Sequence, residues 1–310
     1  LSEAGNGRRG ALPPGVSRAP ELRERLQEEG YLADEGLSTA IFLALKLGRP
    51  LFLEGEAGVG KTEVAKVLSR LLDTPLIRLQ CYEGIDVNQA VYEWDYARQL
   101  LHIRTAEAFG AEEDRQRFED ELYTRQFLVS RPLLQAIEHE GPTPPVLLID
   151  EVDRADDEFE AFLLEILSDY AITIPEIGTI QARRPPVAVL TSNRTREVHD
   201  ALKRRCLYFY IDHPGLALEL EIVRLRVPGA DERLARQVAT AVQELRNMDL
   251  YKPPGVAETL DWTEALVALG AKELDEALIE ATLGSVVKYR EDQQRALGAG
   301  LQLLTGTGGA

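Results

Sequence analysis

Apolar positions along the chain fall into two kinds of block. Short continuous apolar runs at 51–53, 146–149, 187–190 and 207–211 predict strands, the fully apolar ones buried on both faces because such a strand has no side that needs water, and Leu76-Ile77-Arg78-Leu79 after Pro75 reads as a further short strand. Between them lie segments with helical spacing. Leu37, Ile41, Ala44 and Leu45 mark a helix over 34–47, and Val64, Ala65, Leu68, Leu71 and Leu72 mark another over 63–72. Leu133, Leu134 and Ile137 mark one over 127–140, while Phe159, Phe162, Leu163, Ile166 and Leu167 recur at i, i+3, i+4, i+7 and i+8. Strands that alternate with helices predict an α/β fold with a parallel sheet. Beyond residue 213 the spacing is helical throughout, over 216–226, 232–246, 262–269 and 274–289, with 251–261 read as a loop around its Pro-Pro-Gly.

The remaining segments complete the division. Residues 1–19 are rich in Gly, Pro, Arg and Ser without an apolar period and read as a mobile tail. A core spans 20–213 and a small all-helical domain 214–310, whose glycine-rich last residues are expected to be disordered. Two stretches break the core's rhythm. Residues 83–104 do not form one clean helix and, with Tyr82 just before, gather Tyr92, Trp94 and Tyr96, which suggests either a partner-gripping insert or a packed excursion. Residues 172–184 read as a β-hairpin, and 111–125 as a solvated helix.

Charge and cysteine usage narrow the classes. With 52 acidic against 35 basic residues the net charge is −17, which works against long-range attraction of nucleic acid. Cys81 and Cys206 stand far apart, show no metal-ligand spacing with the four histidines, and read as reduced thiols, in keeping with a cytoplasmic setting. No apolar run reaches the length of a membrane span and no signal peptide is visible.

The chemistry concentrates at the strand ends. Gly55-Glu56-Ala57-Gly58-Val59-Gly60-Lys61-Thr62, followed by Glu63, matches G-x-x-x-x-G-K-[ST] between an apolar run and a helix, the context a phosphate-binding loop requires. Glycines let successive N–H groups converge on one anion, Lys61 adds a mobile charge, and the Thr62 hydroxyl suits Mg2+. Tyr31 and Leu32, ahead of the preceding helix, are candidates for contact with an adenine base. The run 146–149 ends in Asp150-Glu151: the first acid suits Mg2+, and the second suits a general base for attack by water. Asp153, Asp156, Asp157 and Glu158 read as the solvated start of a helix. Asn193, after the 187–190 strand, is placed to orient water or touch a γ-phosphate. Lys203-Arg204-Arg205 forms a basic run in an acidic chain and suggests an arginine finger toward a neighbouring subunit.

In order and spacing, residues 55–62, Asp150-Glu151, Asn193 and Arg204 resemble an AAA+ ATPase. The phrases at 149–155, 190–195, 91–100 and 200–206 resemble the MoxR branch, and the last two look most like its CoxD-type members, tied to maturation of carbon monoxide dehydrogenase. The resemblance implies a P-loop NTPase fold with a five-stranded sheet, helices on both faces and a C-terminal helical lid, using ATP and Mg2+. It also implies a ring, usually a hexamer, with the 83–104 insert and the 172–184 hairpin facing the pore or client. Many MoxR relatives carry a lid arginine that meets the γ-phosphate, whereas residues 259–263 here lack one.

The expectation is an ATP-hydrolysing chaperone that remodels a partner metalloenzyme during cofactor or metal-cluster assembly, with or without an adaptor protein. Its rival is a nucleic-acid-directed AAA+ motor or switch, which should display a basic, aromatic-lined channel that this sequence does not advertise. A GTPase would need an N-K-x-D segment, and none is present.

Overall fold

The computed structural model describes residues 10–108 and 121–305. In chain order the elements are α1 (Ala19–Glu28), α2 (Glu35–Leu47), β1 (Leu51–Glu54), α3 (Lys61–Leu71), β2 (Leu76–Gln80), α4 (Val87–Ala90), β3 (Tyr92–Trp94), α5 (Tyr96–Ala108) and β4 (Leu128–Ser130). There follow α6 (Pro132–Ile137), β5 (Val146–Asp150), α7 (Asp157–Asp169), β6 (Ala171–Ile174), β7 (Gly178–Gln181), β8 (Val187–Ser192), α8 (Asp200–Arg205) and β9 (Leu207–Tyr210). The last are α9 (Leu216–Arg226), α10 (Glu232–Asn247), α11 (Val256–Ala268), α12 (Glu276–Val286), α13 (Arg290–Gly298) and α14 (Leu301–Leu304). The chain divides into two compact units, one holding Glu35–Leu53 and Leu68–Phe209 with the chain up to Leu22, the other Arg23–Asp34, Glu54–Val67 and the chain from Tyr210 onward.

The first unit is built on a five-stranded parallel sheet ordered β2-β5-β8-β1-β9, the P-loop AAA+ arrangement. Every residue of β5 is buried, as its unbroken apolar run demands. Its register sets Leu76 of β2 opposite Val146 and Gln80 opposite Asp150, and on the other side Ile149 opposite Leu190 of β8. Leu147, Ile149 and Leu190 pack with Phe159, Leu163, Ile166 and Leu167 of α7 and with Leu133, Leu134 and Ile137 of α6. Each such side chain contributes about 1.5–3 kcal/mol by leaving water.

Several expectations change here. The helix expected over 127–140 begins only at Pro132, because the residue before a proline is pushed to extended backbone; Arg131 has φ −94° and ψ 173°. The preceding residues instead form β4, antiparallel to β3 with Tyr92 opposite Ser130 and Trp94 opposite Leu128. Trp94 is 8% exposed and meets Tyr123 edge-on at 5.3 Å and Tyr92 at 6.1 Å. The packed reading therefore holds at Trp94, and the gripping role does not; Tyr82 and Tyr96 are exposed. Residues 10–18, read as part of a tail, lie against α2: the Ala11 N–H donates to Leu45 O at 3.0 Å and Val16 is buried. Most of the helix expected at 111–125, and the expected tails at 1–9 and 306–310, lie outside the described residues.

In the second unit, Leu234, Val238, Val242 and Leu245 of α10 form a core with Trp262 and Leu266 of α11 and Ile279 and Leu283 of α12. The Trp262 indole N–H donates to Thr282 Oγ1 at 2.7 Å, so the largest buried ring keeps a polar partner. Helix α11 starts at Val256, inside the stretch read as a loop. Gly255 is its N-cap, and the Glu258 carboxylate reaches back to the Gly255 N–H at 3.0 Å, a capping pattern that the Pro-Pro-Gly masks. The long helix expected over 274–289 is shorter, ending at Val286 before α13 begins at Arg290.

Candidate functional site

The phosphate loop, 55–62, belongs to the second unit. A Cβ on Gly55 would stand 2.3 Å from Ile211 O, so no other residue fits without moving the backbone. Gly58 has φ +81°, and its added Cβ would fall 2.8 Å from the Glu258 carboxylate. The Gly58 carbonyl accepts from the N–H groups of Val256 (2.9 Å) and Ala257 (3.2 Å), the first residues of α11. Glu56 is exposed, Ala57 and Gly60 are half-buried and Val59 is buried. Lys61 is buried, and its Nζ donates to the carbonyls of Gly55 (2.7 Å) and Glu56 (2.6 Å). Thr62 and Glu63 occupy the first turn of α3, where Glu63 pairs with Lys66 at 3.2 Å and Arg226 at 3.7 Å.

Tyr31 lies beside this loop, its ring 3.8 Å from where a Cβ on Gly60 would stand. Burial, reinforced by Asp34 and Glu63, holds its hydroxyl well above the usual phenol range, so the ring offers a neutral face. Leu32 is half-buried. His213 is held below the usual imidazole range, first by burial and then by Arg246, and its Nδ1 has no hydrogen-bond partner among the described residues. Arg246 is itself buried against Glu219, with Nη1 and Nη2 donating to the two carboxylate oxygens at 2.6 and 2.7 Å. Within the arginine-free stretch 259–263, the Thr259 hydroxyl donates to the same carboxylate at 2.7 Å.

The acids belong to the first unit, at the ends of β5 and β8. Asp150 is buried; its Oδ1 accepts the Thr191 hydroxyl at 2.6 Å and its Oδ2 accepts Arg78 Nε at 3.0 Å. The same Thr191 oxygen accepts the Glu151 N–H at 2.9 Å, so one hydroxyl fixes both acids. Glu151 is in the left-handed region, φ +55° and ψ +50°. Its Oε1 accepts Asn193 Nδ2 at 3.2 Å, and its Oε2 accepts Gln80 Nε2 at 3.1 Å and pairs with Arg154 Nε at 2.9 Å. The geometry thus brings Asp150, Glu151 and Asn193 together.

Asp153 is not a solvated acid. It is buried, and its carboxylate accepts from the N–H groups of Asn193 (3.2 Å) and Thr195 (2.8 Å) and from the Thr195 hydroxyl (2.6 Å). Buried Glu160 holds the same segment farther along, accepting from the His199 N–H at 2.7 Å and from Arg196. Asp156 caps α7 through the Phe159 N–H at 2.8 Å, whereas Asp157 and Glu158 are exposed as expected. Arg78, Gln80 and Thr191 are further members that the sequence reading passed over. The available signal was Arg78 and Gln80 at i and i+2, two polar side chains on one face of a short strand.

Arg204 and Arg205 are exposed and Lys203 is half-buried, and all three have neighbours within the chain. Arg204 pairs with Asp200 at 2.7 Å, Arg205 donates to Ser168 Oγ, and Lys203 lies over the rings of Phe52 and Tyr208. Arg49 caps the end of α8 by donating to the carbonyls of Arg204 (3.0 Å) and Cys206 (3.3 Å). Both thiols are buried, and burial pushes Cys81 and Cys206 up to about 12, leaving them protonated and inert.

The donor set fits ATP with Mg2+. The loop has glycines where a side chain would clash, a buried ammonium and a helix start, which together suit phosphate. Among the described residues no group of three or more His, Cys, Asp or Glu could hold a metal by itself. Mg2+ takes one or two carboxylates and completes its shell with phosphate and water, and buried Asp150 is one such carboxylate.

Comparison with known proteins agrees. The model of the AAA domain (dynein-related subfamily) matches residues 50–206. The chain is similar to the gas vesicle ATPase GvpN of Haloferax mediterranei, 26% identical over 240 residues, which cover 73% of this chain and 66% of that protein. It is also similar to an uncharacterized protein of Staphylococcus haemolyticus, 22% identical over 272 residues, 84% of this chain and 93% of that one. Among solved structures, the Holliday junction branch migration motor RuvB of Thermotoga maritima aligns with a TM-score of 0.47 and 16% identity, covering 84% of this chain and 68% of that one. With half of its length inside the family match, from β1 to the end of α8, the chain belongs to the AAA domain family, dynein-related subfamily, and carries that family's ATPase module, which uses ATP with Mg2+.

Proposed function

We propose that the chain is a MoxR-type remodeller that couples ATP hydrolysis to work on a partner metalloenzyme during cofactor or metal-cluster assembly, of the carbon monoxide dehydrogenase kind. One observation carries the hydrolytic part: Glu151, a second acid beside Asp150, is held by Asn193 and Gln80 with its carboxylate still partly open to solvent. Many small-molecule kinases lack that second acid, whereas a general base there suits attack by water.

In this reading Lys61 turns from the Gly55 and Glu56 carbonyls to the β- and γ-phosphates, which the 55–60 backbone cradles. Thr62 and Asp150 would hold Mg2+, which when bound would supply neutralisation of phosphate charge. Glu151 takes the proton from the attacking water while Asn193 orients it. Arg204 or Arg205 serves the site of a neighbouring subunit in a ring, leaving an exposed Asp200 or a Ser168 hydroxyl to do so. Tyr31 and Leu32 form part of the wall around the base.

The metalloenzyme client rests on the likeness of 91–100 and 200–206 to CoxD-type members. The likeness to a gas vesicle ATPase favours a second client class, a structural assembly. A Glu151→Gln chain, loaded with ATP and used as bait in its own cell extract, separates them. Retention of a molybdenum hydroxylase supports the first, retention of a structural-assembly protein the second, and no ATP-dependent retention overturns the remodelling reading. The ring is tested by mixing. Excess Lys61→Ala subunits, whose fingers are intact, should partly restore turnover to an Arg204→Ala, Arg205→Ala double variant, and failure of that rescue removes the finger role.

A further inference from the structure

Arg78 takes no part in the proposed hydrolysis, yet it holds the acid that would carry the metal. It lies on β2, the edge strand, two residues before the Gln80 that stands opposite Asp150. Its Nε donates to Asp150 Oδ2 at 3.0 Å, and its Nη2 donates to that same oxygen and to Gln80 Oε1, each at 2.5 Å. Asp150 Oδ1 is engaged by Thr191, so Oδ2 is the oxygen on which a metal and Arg78 would compete. The two partners differ in burial: the Asp150 side chain is 4% exposed and that of Arg78 53%. A carboxylate this buried needs a cation beside it, whereas a guanidinium this exposed can leave for water at little penalty.

We propose that Arg78 is a displaceable counter-cation. It neutralises Asp150 while no metal is bound, and it swings out when Mg2+ arrives with the nucleotide. This rests on Asp150 being a metal ligand. Arg78 acts through Asp150 and is a positioning residue. A consequence is that free Mg2+ binds poorly to the nucleotide-free protein, because it must expel a charge-assisted, two-donor partner without phosphate oxygens to complete its shell.

The test uses Mn2+ as the probe, followed by electron paramagnetic resonance on the full chain without nucleotide. An arginine beside a carboxylate changes its proton affinity by roughly tenfold to a thousandfold, and the same field acts on a metal. Arg78→Met should therefore raise Mn2+ affinity at least about tenfold, and adding Asp150→Asn to it should abolish that gain. Arg78→Lys, which keeps a charge, should stay near wild type. Arg78→Gln, which keeps a donor for Gln80 without the charge, should repeat the gain and guards against a folding defect in Arg78→Met. Unchanged Mn2+ affinity in both neutral variants, with Asp150→Asn still weakening Mn2+ binding to the ADP-loaded protein, overturns the role of Arg78 and leaves the metal reading intact. Unchanged Mn2+ binding in ADP-loaded Asp150→Asn overturns the metal reading itself, and the proposal with it.

Discussion

The phosphate loop and the acid site satisfy their charges in opposite ways. Lys61 is held by backbone carbonyls five and six residues away. Asp150 and Glu151 are held chiefly by side chains 41 to 72 residues away: Thr191, Asn193, Gln80 and Arg78. These two bonds from Lys61 close within one peptide stretch, although the Gly58 carbonyl of the same loop also accepts from the first N–H groups of α11. The acid site is assembled by the sheet, since its partners arrive on the two strands that flank β5, Arg78 and Gln80 on β2 and Thr191 and Asn193 on and just after β8, and depend on register. Damage to the loop should thus remain local, and damage to the acid site should be shared among residues that act as a unit.

The sharpest contrast comes from one change in each region. Glu151→Gln keeps shape and loses the proposed base, so ATP affinity should persist while turnover falls by roughly 10²–10⁴. Lys61→Ala should do the reverse at the binding step, weakening ATP by about 3 kcal/mol or more through loss of charged hydrogen bonds. Calorimetric titration with steady-state ATPase assays reads both, and equal ATP affinity in wild type and Lys61→Ala would break the contrast.

A change outside both regions calibrates it. Trp94→Ala removes a buried ring from the first unit's core and should cost about 3–5 kcal/mol in denaturant unfolding, without altering ATP affinity of the folded fraction. A loss under about 1 kcal/mol would return Trp94 to the surface, since exposed substitutions rarely exceed that.

Sharing within the acid site is tested at Thr191, whose oxygen bridges both acids. Thr191→Val should cost about 1–3 kcal/mol of stability by orphaning buried partners. Its effect on turnover should be non-additive with Asn193→Ala by at least about 0.5 kcal/mol, whereas each should add independently to Lys61→Ala. Simple additivity throughout would mean the acid site is not one unit.

The smallest effect concerns pH. His213 is depressed, so below about pH 6.5 the unfolded chain takes up a proton that the folded chain refuses. Stability is then present above that pH and declines as pH falls toward the depressed folded value. The melting temperature should drop between pH 7.5 and 5.5, and His213→Gln should flatten part of that drop. An identical slope in the variant would assign the effect to other groups.

How much was legible follows the same division. β1, the loop and α3 were readable, as were β5 and β8, because each is declared by its own residues. Arg78 looked like an ordinary polar residue on a short strand, and Asp153 like a helix-start acid, because their partners lie 72 and about 40 residues off in sequence. Leu133, Leu134 and Ile137 do form a helix, but the proline at 132 and the pairing of β4 with β3 set its start. Trp94 sat among charged neighbours in sequence, while its ring packs on Tyr123, a residue 29 positions on. In the second unit, Gly255 reads as a turn residue in sequence, whereas Glu258 caps it.

Glu151 and Arg194 are two of the four described non-glycine residues with positive φ, and both border the acid site. Such a backbone costs of order 1–3 kcal/mol in an ordinary residue, and Gly or Asn would relieve it. In a library selected only for heat resistance, position 151 should therefore drift toward Gly or Asn, each gaining stability by discarding the proposed base. Selection for heat resistance together with ATP turnover should keep Glu there and find its gains elsewhere. Residue 151 is thus a position where robustness and chemistry pull the same backbone in different directions.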